Sequence, residues 1–346
     1  METADLAQLS TAQIAALSTA NIVGLTSAQM DALSTAQLAA IEAADLAKLG
    51  AAQIAGITAA DLSTALIAGL TTANVTGLTS TQLGALTSTQ VAAIETVDLA
   101  KMTTAQIKAL STANVAGLTT AQMDALTSAQ VGAIETADLA QLSTAQIAAL
   151  STANVTGLSS AQVAALSTSQ VAAIEAADLV KFTKTQVDAL TDAQFGSLTT
   201  SQIDALTTGQ ISWLSATDIA ALGSDVSALL NDATQAGTLK VALSDTQVSA
   251  LTSAQLSLLT TATVAALSTT AIDGLTTAQL DGLTFAQLDA MTAAQLNVLD
   301  QPQVASLSAA QVTSDGTATG TLIELTGVTT SLGTWLDSIV PGSSYA

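Results

Sequence analysis

The run LSTAQIAALSTANIVGLTSAQMDAL, residues 9–33, is one pattern written three times: STAQIAAL, STANIVGL and TSAQMDAL from residue 10 onward. In the first of these, Ser10 and Gln13 have the S-x-x-Q spacing of a capping box. There a hydroxyl accepts the backbone N–H three residues on, and the glutamine side chain returns to the N–H of the cap residue. Leu9 and Ile14 flank the box at the spacing of a hydrophobic staple. Both signatures recur in nearly every octad, so each octad starts a helix of its own. One continuous helix fails on geometry, because eight residues at about 100° each would rotate the apolar stripe by about 80° per octad. A strand fails too. The large aliphatics at octad positions 5 and 8 would point to opposite faces of a strand, whereas three apart on a helix they share a face. Ala and Gln also favour helix. The expected fold class is all-α, a solenoid of very short capped helices with one helix per octad; a β-solenoid is the alternative. A lone octad buries too little apolar surface to offset the entropy of ordering it, so octads must stack on one another.

Outward from this run, the octads continue with few breaks to about Leu307. One variant opens with Glu and carries Asp at position 4, as in EAADLAKL at 42–49. It starts at Glu2, Glu42, Glu95, Glu135 and Glu175. Successive starts lie five octads apart, except that Glu42 to Glu95 spans five octads plus an insertion at 58–70. Five octads therefore make a super-repeat. The expected organisation is an octad solenoid over 1–222, an irregular insertion at 223–243, the solenoid resumed over 244–312, and a C-terminal cap or secretion-signal-like tail at 313–346. A short strand is expected over 319–324 of that tail. Gly24, Gly77, Gly117 and Gly157 stand at position 7 of octads that carry Asn at position 4. This pairing predicts a tighter corner, made by a left-handed helix end or by close backbone approach.

Composition narrows the function classes. The chain is 49% hydrophobic but only 10% charged, with 27 Asp and Glu, six basic residues (all Lys) and a net charge of −21. Such a field repels nucleic acid and anionic lipid, and without Arg the bidentate reader of phosphate and guanine is missing, so no nucleic-acid partner is expected. With no Cys and no His, thiol or imidazole zinc sites and Ser–His or Cys–His nucleophile pairs cannot be built within one chain. No run of about 18 apolar residues predicts a transmembrane helix. The first residues, METADLAQLSTAQ, show neither the basic nor the apolar region of a Sec-type leader.

The many Ser/Thr pairs could be read as an ice- or glycan-binding ladder, but their positions are those of helix caps and first turns. Asp5, Asp45, Asp98, Asp138 and Asp178 fall at N3, where the helix dipole favours a carboxylate. Asp45–Lys48, Asp98–Lys101 and Asp178–Lys181 have the spacing of exposed ion pairs. The functional alternative is a calcium-binding column made of Glu42, Asp45, Glu95, Asp98, Glu135, Asp138, Glu175 and Asp178. Calcium takes six to eight oxygens, and neither an EF-hand loop nor a glycine-rich nonapeptide is present. Asp31, Asp124, Asp188, Asp204, Asp273, Asp281 and Asp289 at position 6 read as a solvated acidic face. No carboxylate pair stands out as catalytic, and no enzyme or other cofactor is expected.

The L-[ST]-[ST]-A-Q-[IV]-x-A-L octads of residues 2–312 resemble those of large, acidic, Cys-free bacterial surface or secreted proteins. The tail TLIELTGVTTSLGTWLDSIVPGSSYA is similar in style to an uncleaved C-terminal secretion signal. The resemblance implies an extracellular or cell-surface location, with a cytoplasmic one as the alternative. Open solenoid ends that meet head to tail propagate without closing. The expected function is therefore a self-assembling structural protein, a filament or surface layer whose partner is itself. A monomeric solenoid adhesin and an intracellular scaffold are the alternatives.

Overall fold

A computed structural model describes residues 2–223 and 243–312. The expected strand at 319–324, the tail, and most of 223–243 lie outside these residues. The chain is all-α: among the described residues every helix is three to six residues long and there is no strand. It divides into two compact units, Met1–Ala189 and Leu190–Ala346, each built by the same rules.

The local rule is the capping box. In the helix Thr11–Ala15, the Ser10 N–H donates to Gln13 Oε1 at 2.8 Å and the Gln13 N–H donates to Ser10 Oγ at 3.3 Å. Each helix then ends within five or six residues, and the chain turns into the extended N-cap of the next. The aliphatics at positions 5 and 8 form the core of each unit. Ile107, Val131 and Leu280 are at most 2% exposed, and Leu110, Ile134 and Leu283 at most 4%.

The tertiary rule uses the other end of the same glutamine. Oε1 of Gln106 accepts the Thr103 N–H at 2.9 Å, while Nε2 donates to the carbonyls of Val75 and Leu78 at 3.2 and 2.8 Å. Those carbonyls lie 31 and 28 residues back, at positions 5 and 8 of the fourth octad before. Gln130 reaches Leu99 and Met102 in the same way, as does Gln287 with Leu256 and Leu259. One amide thus closes its own helix N-terminus and supplies a donor to a helix end on the preceding turn, two groups that short helices leave unsatisfied. The helices themselves pack on the third octad before, as Ser128–Ala133 does on Thr104–Lys108 and Phe285–Asp289 on Thr261–Ala265. One turn of each coil therefore takes between three and four octads.

Asparagine makes the tight corner. Asn114 is fully buried and donates to Leu83 and Leu86 at 2.8 and 3.0 Å. Its side chain is one methylene shorter than glutamine, so its octad must approach more closely, and it does so as the 3₁₀ turn Val115–Gly117. A Cβ on Gly117 would lie 2.2 Å from the Ser88 carbonyl oxygen, and one on Gly157 1.9 Å from that of Ser128. Close backbone approach is therefore the reason for these glycines. A left-handed helix end is not, since the positive-φ residue among those described is Gly223.

The insertion at 58–70 resolves into the pentad 58–62 and the octad 63–70. Gln82 docks on Ile54 and Ile57, 28 and 25 residues back, three fewer than elsewhere. The pentad, wound as Ala59–Asp61, thus occupies one full place in the coil with three residues fewer. Across 223–243, Gln247 docks on Ile211 and Leu214, 36 and 33 residues back. The docking register on the far side of 223–243 is therefore the same, offset by five residues.

Candidate functional site

Docking glutamines and asparagines recur through the described octads, except where another residue such as Asp178 takes their place, and Gln13 and Asn21 dock on no described residue. Gln37, Gln53 and Gln82 are at most 8% exposed, because each reaches back to a preceding turn. Gln13 and Asn21 are exposed. Gln13 uses its amide oxygen for its own cap, and Asn21 accepts from the Ser18 hydroxyl at 2.5 Å. Neither amide nitrogen has a carbonyl partner among the described residues. The leucines beside them, Leu9, Leu17 and Leu25, are half-buried, and Val23 is 43% exposed. The first turn thus carries unmatched donors beside apolar surface, including the Asn21–Gly24 pair that elsewhere makes the tight corner. In the last described octads of the second unit, no described side chain donates to the carbonyls of Leu288, Met291, Leu296, Leu299, Val304 or Leu307.

The carboxylates singled out from sequence are placed differently from one another. Glu42, Glu95, Glu135 and Glu175 are exposed helix N-caps without side-chain cap bonds. Asp45, Asp98, Asp138 and Asp178 are 2–7% exposed. They stand where other octads have the docking glutamine, and a carboxylate cannot donate to the facing carbonyls. Asp45 instead accepts the Thr19 hydroxyl at 2.5 Å, and Asp138 that of Thr112 at 2.7 Å. The exposed ion pairs expected with Lys48, Lys101 and Lys181 therefore do not form, because these aspartates turn inward. The ion pairs of the described residues are Lys184–Asp188 at 2.7 Å and Lys108–Glu135 at 3.9 Å. The eight calcium candidates do not line up as a column. Neighbours across the coil are three to four octads apart, whereas the Glu-first octads recur every five octads or more. Among the described residues no three such carboxylates converge on a point that could hold a metal ion.

Two of the inward aspartates are electrostatically strained. Burial, then Glu175 and Asp124, push Asp178 up to about 6. Burial and then Glu95 raise Asp98. A raised carboxyl holds its proton more tightly when folded than when unfolded. Its contribution to stability is therefore full below the ordinary value of 3.8 and is lost as pH rises through about 6. For Asp178 the ceiling is ~3 kcal/mol, reduced to ~1–2 kcal/mol because solvent reaches the carboxylate. Thermal unfolding followed by circular dichroism should give a higher Tm at pH 5 than at pH 7.5. Asp178→Asn should flatten that difference; an unchanged pH profile in this variant would rule out Asp178 as its source.

The family profile of the ALTTAQ repeat matches residues 1–35, 91–128, 131–168 and 171–208. The last three matches begin at 91, 131 and 171, in phase with the five-octad super-repeat. These four stretches are similar to the ALTTAQ repeat. The stretch from 36 to 90 without a match contains the pentad, where the ALTTAQ spacing is interrupted. No curated protein matches the chain. The amide of the repeat's Gln is the group that sequence reading left half-used. Its oxygen is predictable from the capping box, but its nitrogen serves a helix on the preceding turn of the coil, and no local signal points there.

Proposed function

We propose that this ALTTAQ-repeat chain is a structural protein that assembles with copies of itself by continuing its own coil stacking end to end. The observation that carries the reading is the exposed first turn. Gln13 and Asn21 repeat the docking chemistry used throughout the interior, yet both are exposed and no described residue receives their amide nitrogens. The partner that fits is a helix end with free position-5 and position-8 carbonyls, which the octads of a second copy supply. Association of this kind is heterologous and extends without closing. A location at the cell surface or outside the cell rests on the resemblance of the octads to those of secreted surface proteins. This reading assigns the chain no catalytic step.

The test is negative-stain microscopy with sedimentation velocity on the full-length protein at tens of micromolar. Regular filaments or layers are expected. The double variant Gln13→Ala/Asn21→Asp should break them into discrete particles while the helical circular dichroism is unchanged, since both side chains lie on the surface. A wild-type protein that sediments as a monomer throughout, or assemblies indifferent to the double variant, would overturn the reading.

A further inference from the structure

An open cleft of about 500 Å³ in the first unit is lined by Asp124, Glu175 and Asp178 together with Thr120, Ser151 and Thr152. Its remaining walls include Ala121, Ala148, Leu150 and Ala177, and no basic residue lines it. The cleft sits where a docking glutamine is replaced by the shorter Asp178. In the register that Gln106 uses, the counterpart carbonyls are those of Ile147 and Leu150, and no side chain among the described residues donates to them. Asp178 is 3% exposed, yet among the described residues its side chain makes no hydrogen bond. Its counterparts Asp45 and Asp138 each take a hydroxyl from the matching threonine on the preceding turn, Thr19 and Thr112. The corresponding Thr152 lies on this cleft without making that bond. Asp178 is nine-tenths buried on the cleft, so a donor from the cleft side would complete it better than the little water that reaches it, and the three carboxylates favour a positive one.

We propose that this cleft binds a primary alkylammonium group, which donates to Asp178 in place of the absent amide while its aliphatic chain lies along the alanine wall. A bare divalent ion fits less well, because the three carboxylates do not converge as a metal site. An ammonium group brings three directed donors and tolerates oxygens spread along a cleft. The same chemistry has two sources, a free diamine and the lysine of another protein. Binding should strengthen from pH 5 to pH 7.5, as Asp178 gives up its proton.

The experiment is isothermal titration calorimetry of the full-length protein at pH 7.5 and 150 mM salt, with putrescine, with Nα-acetyl-lysine amide and with calcium chloride as separate titrants. Saturable binding of either amine is expected. If putrescine is the tighter, the free diamine is the source; if the lysine derivative, a protein lysine is. Asp178→Gln should weaken that binding at least tenfold while leaving Tm unchanged or raised, because the restored amide can dock on Ile147 and Leu150. That direction separates loss of the site from loss of the fold. Asp281→Asn alters the net charge equally at a residue that does not line the cleft and should leave binding unchanged. Three results would each overturn the proposal: no saturable amine binding, equal weakening by Asp178→Gln and Asp281→Asn (general attraction to a polyanion), or calcium as the only titrant sensitive to Asp178→Gln.

Discussion

Replacing Gly157 by alanine is expected to destabilise the first unit by at least ~3 kcal/mol, the upper part of the range for overpacking a core. The added Cβ would lie 1.9 Å from the Ser128 carbonyl oxygen, 2.5 Å from its carbonyl carbon and 2.8 Å from its Cα. All three are backbone atoms of the octad on the preceding turn, so no side-chain rotation relieves the contact. The octad must lift off, and lifting it withdraws Asn154, which is fully buried and bonded to Met123 and Leu126 at 2.9 and 3.0 Å. In a plain helix the same substitution is favourable by up to ~1 kcal/mol. Gly209 supplies that control. A Cβ there meets its nearest neighbour at an ordinary 3.8 Å, and Gly209→Ala should be neutral or stabilising by ~0.5–1 kcal/mol. Urea unfolding of the two variants should shift the midpoint in opposite directions; a tolerated Gly157→Ala would show that the tight corner can relax.

The second large effect is expected at a docking glutamine. Gln130→Leu keeps most of the side-chain volume but removes the acceptor of the Thr127 N–H at 2.8 Å and the donor to Leu99 and Met102, each also at 2.8 Å. Gln130 is 2% exposed, so water cannot replace these partners. At ~1 kcal/mol for each lost bond, with a further penalty for the stranded groups, the cost is ~3–4 kcal/mol. Gln13→Leu makes the same chemical change in the first turn, where the residue is exposed and only its own cap depends on it. It should cost ~1 kcal/mol, the ordinary worth of a cap. Stability in a repeat array is a sum of neighbour terms, so the loss should be local. Hydrogen exchange should quicken in the octads around residues 99–102 and 127–134 first. Equal effects of the two substitutions would mean that the amide nitrogen contributes nothing across turns.

The candidate assembly face was partly legible from sequence. That solenoid ends are candidates for assembly follows from the repeat itself, and the pairing of Asn at position 4 with Gly at position 7 marks a tight corner by pattern alone. Which groups the proposed assembly would use was not legible, because Gln13 and Gln146 occupy identical octads and differ only in whether a described turn lies beneath them. The eight carboxylates do not stack as a column for a related reason. The five-octad period says which octads are alike, but neighbours across the coil are three to four octads apart, so alike octads are not stacked. The pentad at 58–62 read as part of an interruption, whereas it holds one place in the winding.

What the sequence determined by itself is everything that acts within one octad. Ser or Thr at the cap, Gln or Asn three residues on and aliphatics at positions 5 and 8 specify a short capped helix, its end and its buried face, because those interactions are local to the octad. What only the tertiary structure decided is the winding: the reach of the Gln106 amide to Val75 and Leu78, the inward turn of Asp98 and Asp178, and the clearance that requires glycine at 117 and 157. The physical reason is that the number of octads per turn comes from packing whole helices against one another. That packing sums many weak contacts, and it alone sets which distant carbonyl lies opposite each side chain.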